Sequence, residues 1–179
     1  KLKLHGDGAK TSQPAFGEFI ELYEQLKDEY DYGIAIHASS ELTGTYDSSI
    51  NASRQTGFPV EVIDSKIGSY ALGKMISNGV ELEKAGKSYE EIVEVLQTYP
   101  EKTEMYLLPA SFEQLRNSGR VSTTQTLFAS LLTINLILAF ENGKVIVQEK
   151  VRTKKKTKMR IFQIVAEAIE KHQLKEICV

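Results

Sequence analysis

Residues 33–49 read GIAIHASSELTGTYDSS. The run GIAIHA is short, apolar on both faces and of strand type, the pattern of a strand covered on both sides in a parallel sheet. Seven hydroxyl side chains follow between Ser39 and Ser49, counting Tyr46, around the single Gly44. A helix is expected from about Tyr46 to Gln55. In open parallel sheets, ligands sit beyond the carboxyl ends of strands, where loops lead into helices. A helix starting near Tyr46 presents free N–H groups and a partial positive charge, and Thr43 and Thr45 add donors, so the loop predicts a carboxylate or phosphate site. The competing reading is that the hydroxyls only cap the helix and satisfy the turn, the commoner use of Ser and Thr.

Working outward, TSQPAFGEFIELYEQLK (residues 11–27) places Phe16, Phe19, Ile20, Tyr23 and Leu26 at helical spacing, with Pro14 in the first turn. Downstream, Val60, Val62 and Ile63 form a second strand, and DSKIGS turns into a helix carrying Leu72, Met75, Ile76 and Val80. Ser88 and Glu91 have the capping-box spacing, with Ile92, Val95, Leu96 and Tyr99 on the apolar side. EMYLLPA reads as a third strand ended by Pro109. Strands alternating with helices imply a parallel sheet with helices on its faces. The organisation then changes. A short helix, a break at Gly119-Arg120 and a helix with Leu127, Phe128, Leu131 and Leu132 lead to two runs around ENG, a hairpin signal, and to a final helix from about Lys154 to His172 with Phe162, Val165 and Ile169 inward. The expected division is residues 1–109 as a parallel-sheet α/β domain and 110–179 as part of a smaller α/β domain. The chain does not start with Met and stops on KEICV, the opening of a strand, so both ends are expected to be cut.

The 179 residues are 41% hydrophobic and 26% charged, a globular composition. One cysteine, Cys178, excludes an intrachain disulfide and suits a reducing, cytoplasmic setting. No apolar stretch approaches the ~20 residues of a membrane span, so no stable membrane insertion is expected. Six of the 22 basic residues lie in RTKKKTKMR, Arg152 to Arg160, so the other 16 stand against 24 acidic ones. That balance excludes a general nucleic-acid binder, which needs a broad basic face. The run is either a solvated helix start or a docking patch for an acidic partner or a phosphate.

Nucleotide binding lacks its glycines: neither GxGxxG nor GxxxxGK[ST] occurs. A serine hydrolase built on His37, Ser39 and Asp64 lacks the G-x-S-x-G elbow, and His37 reads as a packed strand residue. Histidines 5, 37 and 172 stand apart without metal spacing, so no metal site is expected.

Together TSQPAFGEF, SSELTGTYDSS, VIDSKIGSYALG, LRNSGRVS and KVRTKKK resemble the DegV family, the bacterial fatty-acid-binding proteins that serve as the acyl-carrying subunit of fatty acid kinase. The likeness runs from about Lys10 to Lys158. It implies a three-layer parallel-sheet domain joined to a smaller two-layer α/β domain, with a long-chain fatty acid buried in the protein, no further cofactor, and a place in phospholipid metabolism. In the family, hydroxyls of the TSQP and SGTY motifs hold the carboxylate. Those positions are Thr11 and Thr43, flanked by Ser12, Gly44 and Thr45, and the arginine of the GR-[IV]-S motif falls on Arg120. Arg152, which opens the basic run, matches the arginine implicated in work with the kinase, and Lys154 and Lys155 follow it as partner or phosphate contacts. The chain departs from the family at Thr43, usually Ser, at Asn135-Leu136 in place of KP, and in lacking the leading Asp-Ser strand and the C-terminal histidine.

The resulting expectation is a non-catalytic carrier that buries the acyl chain and presents the carboxylate to a separate kinase. The alternative is an enzyme, an esterase or a transferase acting on acyl substrates.

Overall fold

The computed structural model describes residues 12–109, 119–121, 134–174 and 177. The helix expected after TSQP is α1, Phe16–Lys27. Its N-cap is Ala15, so Pro14 lies just outside rather than in the first turn, and Glu18 reaches back to accept from the Ala15 N–H (3.2 Å). Strand β1, Gly33–His37, runs parallel to β2, Val60–Asp64, in a register from Gly33↔Val60 to His37↔Asp64. Between them lies α2, Thr45–Thr56, closed by Gly57 at φ +70°, a conformation in which a Cβ is costly.

Alternation along the strands sends side chains to two faces. On one, Val60 packs with Phe19 and Tyr23 of α1, Ala52 of α2, and Phe58. On the other, Ile34, Ile36 and Ile63 meet Met75, Ile92 and Leu96 from helices α3 (Ser69–Lys84) and α4 (Tyr89–Gln97). The result is the expected three-layer α/β arrangement. The predicted capping box of α4 forms: Ser88 Oγ accepts from the Glu91 N–H (3.3 Å) and Glu91 accepts from the Ser88 N–H (2.9 Å).

Two expectations for this half change. In α3, Met75 is buried while Ile76 and Val80 are 44% and 47% exposed. The helix is rolled so that Gly79, whose missing Cβ would lie 3.3 Å from Leu96, rests against α4, and Ile76 and Val80 fall beyond that seam. Tyr99 belongs to a short 3-10 turn, Tyr99–Lys102, instead of extending α4, although its ring still packs on the second cluster.

The third strand is a larger correction. β3 is only Tyr106–Leu107 and pairs antiparallel with β4, Asn135–Glu141, at Tyr106↔Ala139 and Leu107↔Leu138. It therefore belongs to a second sheet of order β3-β4-β5, and among the described residues the parallel sheet holds β1 and β2 alone. A short apolar run fixes neither its partner nor its direction.

The ENG hairpin forms as expected: β4 and β5 (Lys144–Val151) are joined by Asn142 and Gly143 at φ +49° and +83°, the positive pair that a two-residue primed turn requires. Helix α5, Lys154–His172, is capped by Thr153, whose hydroxyl accepts from the Lys156 N–H (3.2 Å), and lies against β4 and β5. Its inward residues are Thr157, Ile164 and Ala168, and Phe162, expected inward, points out. The helices expected on either side of Gly119-Arg120, with Leu127, Phe128, Leu131 and Leu132, lie outside the described residues.

The hydroxyl loop joins the two sheets. Leu42 packs with Leu136, Leu138 and Val145 of the antiparallel sheet, and Ser39 Oγ donates to the Gly143 carbonyl (2.7 Å) across 104 positions of sequence.

Candidate functional site

The seven hydroxyls divide by what they touch. Ser39, fully buried, is spent on Gly143, and Ser40 Oγ donates to Asp64 at the end of β2. Ser48 Oγ accepts from Gln13 Nε2 (3.0 Å), and Ser49, also fully buried, shares a hydrogen bond with the Tyr23 hydroxyl. For these four the turn-satisfying and packing reading holds. Thr43, Thr45 and Tyr46 remain, half-buried at the start of α2. Thr43 Oγ1 and Thr45 Oγ1 bond each other (2.7 Å). One hydroxyl of such a pair donates to the other, and the second keeps its proton for another acceptor.

The N-cap of α2 is Gly44, which has no side chain with which to cap it. The first-turn N–H groups therefore keep their capacity for an outside acceptor, at the positive end of the helix. A Cβ on Gly44 would meet the side-chain amide of Gln13, which is exposed and can swing aside. Through its bond to Ser48, Gln13 ties the segment before α1 to the start of α2. Sequence reading missed it because the neighbouring hydroxyls drew attention, although an amide between two hydroxyl residues and a proline was a visible donor.

His37, at the carboxyl end of β1, stacks edge-on against Phe19 (centroids 5.9 Å apart), and its Nε2 is buried without a hydrogen-bond partner among the described residues. Burial, partly opposed by the Asp64 carboxylate beside it on the ladder, lowers its pKa from the ordinary 6.5. The unfolded chain therefore takes up this proton more readily than the folded one. The contribution is complete above about pH 6.5 and is lost as pH falls from there toward the depressed value. The unfolding temperature is expected to fall between pH 7.5 and 5, and His37→Phe to flatten part of that fall. Superimposable pH profiles for the two proteins would contradict this assignment.

A shallow pocket of about 230 Å³ lies beside Tyr46 and the end of β2, lined also by Glu61, Asp64, Lys66 and Glu101. Its charged walls do not suit a hydrocarbon tail. Among the described residues no group of three or more His, Cys, Asp or Glu is placed to hold a metal ion, and no helix is long and apolar enough to cross a membrane.

Of the residues singled out in the sequence, Thr43, Gly44 and Thr45 form the lip of α2, and Arg120 joins them through Nε, which donates to the Leu42 carbonyl (3.3 Å). Ser12 is exposed next to Gln13, and Thr11 lies outside the described residues. Arg152, Lys154 and Lys155 are exposed at the start of α5. They sit at the far end of β5 from the Gly143 turn, about 23 Å along a strand rising ~3.3 Å per residue. The basic run and the hydroxyl loop are two separate places.

The profile of the DegV family, described as uncharacterised proteins, matches residues 1–179. A DegV domain-containing protein of Staphylococcus aureus (strain N315) is 38% identical over 171 residues, covering 96% of this chain and 61% of that protein. Protein DegV of Bacillus subtilis (strain 168) is 35% identical over 173 residues, covering 96% and 62%. The chain thus spans about three fifths of the length of the curated relatives it matches. Among solved structures, a fatty-acid-binding DegV family protein of Streptococcus agalactiae superimposes with a TM-score of 0.85 at 28% identity, over 92% of this chain and 60% of that one. DegV of Bacillus subtilis, described as a fatty acid binding protein, gives 0.80 at 35% identity, over 90% and 58%.

Proposed function

The chain belongs to the DegV family, and from that premise we propose that it is a non-catalytic carrier of a long-chain fatty acid, holding the carboxylate at the lip of α2 and offering it to a separate fatty acid kinase. The observation that carries this reading is the uncapped start of α2, where Thr43 and Thr45 pair beside Gly44. A carboxylate cannot be brought out of water unpaired, and charge-assisted bonds from hydroxyls and helix N–H groups make its entry tolerable. Thr11 would join them from the TSQP side, and Arg120 would brace the loop through Leu42. The tail supplies the affinity: at ~0.8 kcal/mol per CH₂, about fourteen methylenes give roughly 11 kcal/mol before ordering costs.

One form of the enzymatic alternative, a Ser39 nucleophile with His37 as its base, is not assembled among the described residues. Ser39 is fully buried with its proton committed to Gly143, and the buried Nε2 of His37 meets no hydroxyl, so the two form no nucleophile and base.

Lipid extracted from the purified full chain and identified by mass spectrometry tests the carrier reading, and finding no fatty acid even after incubation with one would end it. The head-group assignment is tested at Thr43. Thr43→Ser is expected to retain binding, while Thr43→Val, similar in shape, loses a hydrogen bond to a charged group worth about 1.5–3 kcal/mol, or roughly ten- to a hundredfold in affinity. The cap is Gly44, so Thr43→Val removes no cap, and its ligand-free stability is expected to fall only by the net worth of the bond to Thr45, about 0.5–1.5 kcal/mol. Parental affinity in Thr43→Val would remove Thr43 from the site.

A further inference from the structure

The dipeptide Asn-Gly occurs twice in the chain, at Asn78-Gly79 and at Asn142-Gly143. In this pair an amide side chain is most open to attack by its own backbone, because glycine places no Cβ beside the attacking nitrogen. The fold treats the two copies differently. Asn78-Gly79 lies inside α3, where the Gly79 N–H is held in the helix ladder and the glycine rests against Leu96. Asn142 stands exposed at the tip of the β4–β5 hairpin, and its side chain has no hydrogen bond among the described residues. Glu141 and Lys144 form the last pair of the ladder, so neither turn N–H belongs to it. What holds the turn lies on its other side. Gly143 is buried, its carbonyl accepts from Ser39 Oγ (2.7 Å), and the Glu41 side chain stands beside it. With Asn142 at φ +49° and Gly143 at +83°, ring closure between them waits for the turn to lift, and the bond from Ser39 resists that motion.

We propose that Asn142-Gly143 is a site of spontaneous deamidation that the bond from Ser39 holds shut, and that its isoaspartyl product opens this clamp for good. In the step, the Gly143 nitrogen gives up its proton and bonds to Asn142 Cγ while the Cγ–Nδ2 bond breaks, and Nδ2 leaves as ammonia. Water then opens the cyclic imide. Opening at Cγ gives aspartate, whereas opening at the backbone carbonyl carbon carries the chain through Cγ and gives isoaspartate. Water enters, ammonia leaves, and nothing is oxidised or reduced. The two products differ in consequence. Aspartate keeps the backbone, and Asp-Gly supports the same primed turn. Isoaspartate adds a methylene to the backbone of a two-residue turn, and the primed geometry is lost. The Gly143 carbonyl then moves off Ser39, leaving a fully buried hydroxyl without its acceptor. Because Ser39 opens the loop that carries Thr43 and Gly44, the lesion reaches the lip of α2. None of this depends on the carrier reading.

The test incubates the purified full chain at mildly alkaline pH and physiological temperature and samples it over days. Mass spectrometry of tryptic peptides gives amide-to-acid conversion at each asparagine, and isoaspartyl methyltransferase with labelled S-adenosylmethionine counts isoaspartate. Conversion at Asn142 is expected to run about tenfold or more faster than at Asn78, whose helix must open first. Ser39→Ala is expected to speed conversion at Asn142 about three- to tenfold and to leave Asn78 unchanged. The aged chain, rich in isoaspartate, is expected to unfold about 2–4 °C or more below the fresh one. Asn142→Asp, which carries the new charge on an unaltered backbone, is expected to unfold near the parent. Equal conversion at Asn142 and Asn78 overturns the site, and a parental rate in Ser39→Ala overturns the clamp's hold on it. Isoaspartate at position 142 with a parental unfolding temperature, or an equal drop in Asn142→Asp, overturns the opening of the clamp.

Discussion

Phe58→Ala is expected to lower the free energy of unfolding by about 3–5 kcal/mol, the usual cost of emptying a buried aromatic site. Phe58 is 2% exposed at the join of α2 and β2. Its ring meets Tyr23 edge-on at 6.1 Å, and a Cβ placed on Gly33 would lie 3.3 Å from it, so it fills the angle between α1 and the strand pair. The surrounding groups cannot close the cavity easily, because Ser53 Oγ donates to the Phe58 carbonyl (2.7 Å) and the Phe58 N–H donates to Thr56 Oγ1 (3.3 Å), which pins the backbone there. Urea titration followed by circular dichroism measures the effect. Phe58→Leu is expected to recover most of the loss, and a loss below about 1 kcal/mol in Phe58→Ala would show that this layer is loosely packed.

Gly143→Ala is expected to cost about 2–5 kcal/mol and, on the carrier reading, to weaken fatty acid binding as well. Gly143 sits at φ +83°, where a Cβ costs about 1–2 kcal/mol. That Cβ would also lie 2.6 Å from Ser39 Oγ and 3.3 Å from Glu41 Cγ, so the hydroxyl loop must retreat and the buried bond from Ser39 is lost, a further 1–3 kcal/mol or so. Because the same loop carries Thr43 and Gly44, its retreat alters the lip of α2. Ser39→Ala separates the causes: it removes the bond without strain and, added to Gly143→Ala, makes room for the new methyl. If Gly143→Ala unfolds with parental stability, the loop is not clamped by the hairpin.

Much of the fold was legible in local pattern. The step from strand to hydroxyls to helix at residues 33–56, the capping box at Ser88 and the hairpin at Asn142-Gly143 each follow from neighbours in sequence, and each formed. What was not legible depends on partners far away. Tyr106–Leu107 is apolar in either sheet, and its antiparallel pairing with β4, some thirty positions on, is not written in the run itself. Ile76, Val80 and Phe162 have the spacing of inward residues, yet periodicity gives a helix an apolar side without saying how the helix is rolled against its neighbour. In the candidate site, spacing picked out Thr43, Gly44 and Thr45. It could not tell them from Ser39, Ser40, Ser48 and Ser49, whose hydroxyls are consumed by Gly143, Asp64, Gln13 and Tyr23, all of them 24 or more positions away in the chain.

The bond from Ser39 to Gly143 also sets an order in time. The layer formed by α1, α2, β1 and β2 draws on residues 16–64 alone and can close early, since short loops form fast. The loop at its edge, already bonded to Asp64 through Ser40, receives its tie to the hairpin only when a residue 104 positions after Ser39 exists. At a synthesis rate of ~5–20 residues per second, the core strands precede the clamp by about 4–16 s. During that interval the growing chain has its first core but a slack hydroxyl loop, so on the carrier reading it captures no fatty acid until the hairpin has been made.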